Sequence, residues 1–227
     1  AHGGWRLARL WWAPHRLAFA KAALLLVLSA LWWLGVQLAR AGALAGWPQA
    51  FDPGLLHGTL MTYGFMPLFF AGFLFTAGPK WLDMPAPSAQ DVTPAVLLQG
   101  LGWLLWLGAA VGGTPLALAG AGAAALGLAW SATLLGRLLW RSPAADRQHA
   151  TLVWLAACLG VAALLGVAAA VWWGRHDLAR ACLLTGLWGF VASTFVVVAH
   201  RMIPFFTASA LPLVSVWRPH WVLALML

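Results

Sequence analysis

Residues 150–173 read ATLVWLAACLGVAALLGVAAAVWW, an apolar run without a charge or a proline. An α-helix needs about 20 such residues to cross a bilayer. Five further runs are long enough to cross in the same way: 17–39, 55–78, 94–112, 115–138 and 181–203. The chain is 63% hydrophobic and 8% charged, whereas a soluble domain carries about 25% charged residues. The sequence therefore predicts an all-α fold, a polytopic transmembrane helical bundle.

The domain organisation follows from the spacing of these runs. Only the short turn Gly112-Gly113-Thr114 separates the third run from the fourth, so we expect an antiparallel hairpin there. A seventh apolar segment begins near residue 221 and stops at residue 227. We expect residues 1–227 to form a single membrane domain with six complete spans and the start of a seventh. This domain would be the N-terminal half of a larger bundle, completed by a missing C-terminal half or by an oligomer partner.

Basic residues are distributed unevenly between the two sets of loops. With the amino terminus in the cytoplasm, ten of the thirteen Lys and Arg residues lie inside, among them Arg6 and Arg9. Only Arg40, Arg175 and Arg180 then lie outside. Cytoplasmic loops of membrane proteins carry such an excess, so the bias predicts a multi-pass protein with a cytoplasmic amino terminus. The charges lie singly rather than on one basic face, which predicts contact with membrane lipid and no binding of nucleic acid.

Histidine is the residue type best placed to carry chemistry, because no Asp or Glu lies deep inside a run and paired carboxylates are lacking. Six histidines lie at or just inside the end of a run: His15, His57, His149, His176, His200 and His220. Neutral imidazole is the commonest metal ligand, and in such a bundle it suits haem iron or copper. The alternative is that these are interfacial side chains that hydrogen-bond to backbone or headgroups.

Four of the histidines belong to the predicted cytoplasmic side: His15, His149, His200 and His220. Arg16 follows the first of them directly and Arg201 follows His200, and a guanidinium at this position can pair with a haem propionate. We therefore predict His15, His149 and His200 as metal ligands and the two arginines as cofactor contacts, with His220 as a further candidate.

The remaining two histidines, His57 and His176, belong to the outer side, about 30 Å of hydrocarbon away. Ligands of the two sides cannot share one metal unless a helix is broken, so one centre or two separate ones are expected. In an α-helix, His57, Met61 and Gly64 share one face. Imidazole with thioether suits copper, or the imidazole binds haem and Gly64 leaves space for it. His176 is a further candidate.

Three stretches resemble one known family. HGTLMTYGF at 57–65, continuing to AGFLFTAGPKW at 71–81, looks like the second-helix signature of the NnrS family. HRMIPFFT at 200–207, followed by Arg218-Pro219, looks like its most specific motif, and PHRLAF at 14–19 resembles its opening. The resemblance implies a larger protein of the bacterial inner (cytoplasmic) membrane that contains haem and copper and is linked to nitric oxide metabolism and defence. It places His57, His200 and Arg201 on motif positions, and His15 with Arg16 on the opening.

Three functions stay open at this point. The first is a protein with haem, expected to be b-type, and with copper as a further cofactor, which takes part in the response to nitric oxide, its detoxification or its metabolism. Its partner would be nitric oxide or another small diatomic ligand, and it either turns this over as an oxidoreductase or only binds it. The second is a non-enzymatic transporter or membrane scaffold with interfacial histidines. The third is a quinone-linked di-haem electron carrier.

Overall fold

A computed structural model describes residues 10–11, 13–211 and 217–227, so Arg6 and Arg9 of the orientation argument lie outside the described residues. All regular structure in the described part of the chain is helical. The elements are α1 (Pro14–Arg40), α2 (Pro53–Thr59), π1 (Leu60–Phe65), α3 (Met66–Trp81), α4 (Ala89–Arg141), α5 (Gln148–Trp172), α6 (His176–Gly186), π2 (Leu187–Ala192), α7 (Ser193–Ala210) and α8 (His220–Met226). The prediction of an all-α membrane protein is confirmed.

The number of spans differs from the prediction of six complete spans and the start of a seventh. Over the described ranges, five helices are long and apolar enough to cross a membrane: His15–Arg40, Pro53–Trp81, Ala89–Arg141, Gln148–Trp172 and His176–Ala210. The runs 94–112 and 115–138 both lie in α4, which has 53 residues. At the predicted start of the seventh span, α8 has 7 residues, whereas a crossing needs about 20.

The long helix α4 reverses direction at Gly113. This residue has φ 64° and ψ −154°, a backbone conformation that is open to glycine and strained for other residues. A Cβ atom placed on Gly102 would lie 2.5 Å from the backbone nitrogen of Ala124, and one on Gly120 would lie 2.5 Å from that of Trp106. The two limbs of α4 therefore pack in antiparallel contact, with small residues at the closest approach.

Local hydrogen bonds determine where the helices begin. Ser88 and Asp91 form a capping box at the start of α4, in which the Asp91 backbone N–H donates to Ser88 Oγ and the Ser88 backbone N–H donates to Asp91 Oδ2. Asp52 caps α2 by accepting the Leu55 N–H at 2.6 Å, and it also forms an ion pair of 2.8 Å with Arg180. That ion pair joins the start of α2 to α6.

The alternating direction of the helices gives the bundle two ends. The end that holds the starts of α1 and α5 and the end of α3, here called the His200 end, also contains His15 and His149. The opposite end, here called the His57 end, contains the Gly113 turn and the start of α6 at His176. The predicted sorting of these histidines into two layers agrees with this topology.

Two π-helices interrupt the second and the last of the long helices. Tyr63 of π1 packs against Phe190 of π2 with a ring separation of 6.2 Å, and its hydroxyl fills the space beside Gly186. A π-helical turn inserts a residue and shifts the face that later residues present, and such turns are frequent at functional sites. Neither π-helix was predicted from the sequence.

Candidate metal centre

Two buried histidines meet at the His200 end of the bundle. His149 is the second residue of α5 and is 0% exposed, and His200 on α7 is 6% exposed. Nε2 of His149 lies 3.0 Å from Nδ1 of His200, and the ring centroids lie 5.2 Å apart with a 23° angle between the planes. The two residues are 51 positions apart in the chain, and the packing of α5 against α6 and α7 brings them together.

The partners of His200 determine which ring nitrogens carry hydrogen. Its Nε2 lies 3.2 Å from the carbonyl oxygen of Pro219, which can only accept, so Nε2 of a neutral His200 carries the hydrogen. Its Nδ1 must then accept from Nε2–H of His149. Nδ1 of a neutral His149 is therefore an unprotonated lone pair, and this buried atom has no hydrogen-bond partner among the residues that the structure describes.

Two further ligand-type side chains lie beside His149. Asp146, in the loop before α5, and His220, the first residue of α8, each offer one ligand atom, and the three ligand atoms of the group lie within 4.8 Å of one another. The His220 ring centroid lies 6.0 Å from that of His149. Two imidazoles and one carboxylate at this spacing can hold a metal ion.

Two arginines surround the carboxylate of this group. Asp146 Oδ2 lies 3.5 Å from Nη1 of Arg201 and 3.8 Å from Nη2 of Arg218. Burial works to raise the pKa of Asp146, but the backbone N–H of Gln148 and the two guanidinium groups together hold that pKa below its ordinary value. Asp146 is therefore a carboxylate at neutral pH.

A cavity of about 460 Å³ opens next to this group. Its lining combines cationic side chains with apolar and aromatic ones: Thr76, Ala77, Lys80, Trp81, Arg201, Met202, Phe205 and Arg218. Arg201 is 13% exposed in its side chain and stacks over the Trp81 ring at 5.1 Å. Such a cavity suits a ligand with an apolar body and carboxylate groups.

Haem fits this cavity only in part. The cations Lys80, Arg201 and Arg218 match its two propionates, and the apolar walls match its ring. Counting only described residues, however, the lining holds no histidine, and both ring nitrogens of His200 already have partners. His200 therefore does not fit as an axial ligand in this arrangement.

Comparison with models of protein families shows to which family this chain belongs. A family model described as NnrS protein matches residues 9–227. The chain belongs to the NnrS family. NnrS membership implies a haem- or metal-containing membrane protein related to nitric oxide. No curated protein and no solved structure matches the chain.

The opening motif of NnrS type lies at the His200 end but outside the ligand group. The ring of His15 lies 6.4 Å from that of Phe19, and Arg16 is exposed next to it. Neither residue belongs to the group of Asp146, His149 and His220, so their predicted roles as ligand and cofactor contact stay predictions.

The second-helix motif of NnrS type places His57 in a polar and aromatic contact of its own. Its Nδ1 lies 3.1 Å from Oγ of Ser29, and its ring stacks on Trp33 at 4.4 Å with an 8° angle. The guanidinium of Arg40 lies over the same Trp33 ring at 5.3 Å. These contacts explain why His57 is half-buried, and the explanation needs no metal ion.

The predicted neighbours of His57 lie in π1. Because Met61 and Gly64 belong to this π-helix, the α-helical spacing that placed them on one face with His57 does not apply. The space beside Gly64 is occupied by Leu60 and Trp103, at 2.8 and 3.5 Å from a Cβ placed there. His176 is exposed, with its ring 6.0 Å from Phe51. Among the described residues, no second group of three ligand-type side chains forms at this end.

Sequence reasoning missed Asp146, Lys80 and Arg218 as functional residues. Only carboxylates deep inside a span were considered, whereas Asp146 lies in a loop. Its position three residues before His149 was a usable signal, because residues at this spacing lie on the same side of a helix start. The role of Arg218 and Lys80 depends on the packing of α3, α7 and α8, which the sequence does not show.

Proposed function

We propose that this chain is a protein of the bacterial inner membrane that binds copper and haem and acts in the response to nitric oxide, its detoxification or its metabolism. The observation that carries the proposal is the buried Nδ1 of His149, which lies beside Asp146 and His220 and lacks a hydrogen-bond partner in the described part of the chain. A buried polar atom left unpaired costs about 1–3 kcal/mol, and a bound metal ion would offset that cost. Family membership supplies the link to nitric oxide.

The charges around the site favour an ion of low charge. Asp146 contributes one negative charge, whereas Arg201 and Arg218 contribute two positive ones within 4 Å of it. A second charge on the ion would add to this repulsion. Imidazole suits copper, and Cu(I) carries one charge, so these surroundings support copper over a divalent ion. Copper bound there would supply one-electron chemistry and a coordination position for nitric oxide.

The chain's own residues would hold and orient this ion in three ways. His149 would bind through Nδ1, because its Nε2–H is used to donate to His200. His200 would act as a positioning residue, since it fixes the hydrogen position and the ring orientation of His149. The backbone N–H of Gln148 and the two arginines hold Asp146 in place. His220 lies at the site because it is the first residue of α8.

For haem, the support from the structure is confined to the cavity next to the metal group. Lys80, Arg201 and Arg218 would hold the propionates and Trp81 would face the apolar ring. The chain has two cysteines, Cys158 and Cys182, too far apart in sequence for a covalent attachment motif, so the haem would be b-type. Haem in this cavity would supply a ferrous iron that binds nitric oxide.

We also propose that α4 crosses the membrane twice, which gives six crossings. The reversal at Gly113 and the antiparallel contact of the two limbs support this. The excess of Lys and Arg in the loops of the His200 end supports a cytoplasmic location for that end and for the amino terminus.

Metal analysis and an optical spectrum of the detergent-purified protein test the proposal. We expect copper and a Soret band that shifts when nitric oxide is added. A colourless, metal-free and folded protein would instead support a transporter or scaffold with interfacial histidines. A bis-histidine haem spectrum that nitric oxide leaves unchanged would support a quinone-linked electron carrier.

A further inference from the structure

An apolar void, open on one side, lies between α3, α4, α5 and π2. Its volume is about 30 Å³, and its walls include Phe70, Leu128, Val153 and Phe190. One water molecule needs about 10–15 Å³ of such volume, and apolar cavities of proteins stay dry and take up xenon. The void therefore has room for about two molecules of the size of water, which is enough for one diatomic molecule, and its walls offer few partners to water.

The hydroxyl in the wall of this void is already engaged. Ser131 Oγ donates to the carbonyl oxygen of Gly127 at 3.2 Å and accepts from Nε2 of Gln99 at 3.4 Å. A water molecule in the void would gain little from this hydroxyl, whereas an uncharged diatomic gas needs no hydrogen-bond partner.

Two helices connect the void to the histidine pair by continuous buried faces. On α5, Val153 of the void wall lies one turn after His149, and both are buried. From Phe190 in the void wall, the last long helix continues with Thr194 and Val197, both buried, to His200. The void and the metal group thus lie along the same two packed helices.

An unpaired polar atom lies on the second of these faces. Thr194 is 0% exposed, and its Oγ1 has no hydrogen-bond partner within the described ranges, although the neighbouring Ser193 donates to the carbonyl oxygen of Trp188. A threonine in a helix ordinarily bonds to the carbonyl oxygen one turn earlier. Its free hydroxyl between Phe190 and His200 can donate to a small ligand that passes there.

We propose that this void is a binding site for one uncharged diatomic gas, from which the gas reaches the His149 group. Such a gas dissolves readily in hydrocarbon and can enter from the bilayer without an aqueous channel. The identity of the gas as nitric oxide rests on the proposed function, whereas the binding site itself rests on the void and its lining.

Xenon binding tests the site without any metal chemistry. We would measure ¹²⁹Xe NMR shifts of the purified full chain, together with Ala157→Phe on α5 and Ala132→Phe on α4, two substitutions that fill the void from different sides. Leu155→Phe is the matched control, because this side chain is on α5 but 51% exposed. We expect saturable xenon binding in the wild type and the control, and its loss in both filled variants. Nitric oxide association with the reduced metal should slow in the same two variants.

The possible results test the gas site and the metal centre independently of each other. Equal xenon binding in the wild type and both filled variants would overturn the site, and loss of xenon with an unchanged nitric oxide association rate would overturn the route. A metal-free protein that binds xenon in this way would refute the proposed function and support the gas site. A copper-containing protein without xenon binding would refute the gas site alone.

Discussion

Nε2 of His149 and Nδ1 of His200 lie 3.0 Å apart, and this one hydrogen bond decides which nitrogen of His149 can bind a metal. Because His200 donates from its other nitrogen to Pro219, it accepts from His149 and leaves Nδ1 of His149 as a buried lone pair. His200, in the stretch that resembles a motif of the NnrS family, thus orients the ring of a buried histidine on another helix.

The positioning role of His200 predicts a graded loss of metal affinity. We expect His200→Gln to weaken copper binding by about 10–100-fold, the usual effect of losing a residue that orients a ligand, whereas His149→Ala abolishes binding. A chelator competition titration of Cu(I) measures both. Gln90→Ala is the control, because Gln90 is exposed at the same end and lies outside the group. Wild-type affinity in His200→Gln would contradict the positioning role.

The close contact between the limbs of α4 predicts a sharp difference between two glycines. A Cβ on Gly102 would meet backbone atoms of Ala124 and Gly120, which cannot move aside as a side chain can. We expect Gly102→Ala to lower the free energy of unfolding by about 1–3 kcal/mol. Gly122→Ala is the control, since nothing lies within 4 Å of its Cβ position. Unfolding in mixed detergent micelles measures both, and equal stabilities would refute the packing of the hairpin.

The proposed six crossings predict which loops face the same side of the membrane. In a background with Cys158 and Cys182 replaced by Ala, single cysteines at the exposed positions Asp83 and Thr114 report the two ends. We expect a membrane-impermeant maleimide added to spheroplasts to label Thr114→Cys and to spare Asp83→Cys until the membrane is opened. Labelling of both from outside would contradict a double crossing of α4.

The cationic cavity predicts that haem content depends on Arg201. We expect Arg201→Ala to lower the haem-to-protein ratio of the purified protein, because this side chain lines the cavity and stacks on Trp81. Arg201→Lys should restore it only in part, since a lysine cannot bind a carboxylate through two parallel hydrogen bonds. Arg141→Ala, an exposed position at the same end, should keep the wild-type Soret absorbance. Unchanged haem in Arg201→Ala would place the haem elsewhere.

Much of the fold could be predicted from apolar run length and loop charge alone. The runs at 17–39 and 150–173 lie in α1 and α5, and Gly113 provides the turn that the short loop required. The π-helices were not predictable, because their sequences, LMTYGF and LWGFVA, differ little from ordinary apolar helix. Tyr63 of π1 packs against Gly186, directly before π2, and only the tertiary structure shows this contact.

The sequence predicted which histidines lie at the same depth in the membrane, but it did not predict which of them are in contact. Topology alone placed His149, His200 and His220 in one layer, and the structure brings the three rings together. The same depth argument could not separate His15 from them, because lateral position in the bundle depends on helix packing. The sequence also did not show which ring nitrogen of His149 or His200 carries the hydrogen, because this depends on a backbone carbonyl group 19 residues away from His200.

Copper K-edge X-ray absorption, with metal content per chain, tests the central claim most directly. We expect one copper per chain with nitrogen and oxygen ligands in the purified wild type, and its loss in His149→Ala with the helical content unchanged. Copper that persists with the same ligand shell in His149→Ala, or a folded wild-type protein that binds no metal, would contradict the assignment of His149 Nδ1 as a metal ligand.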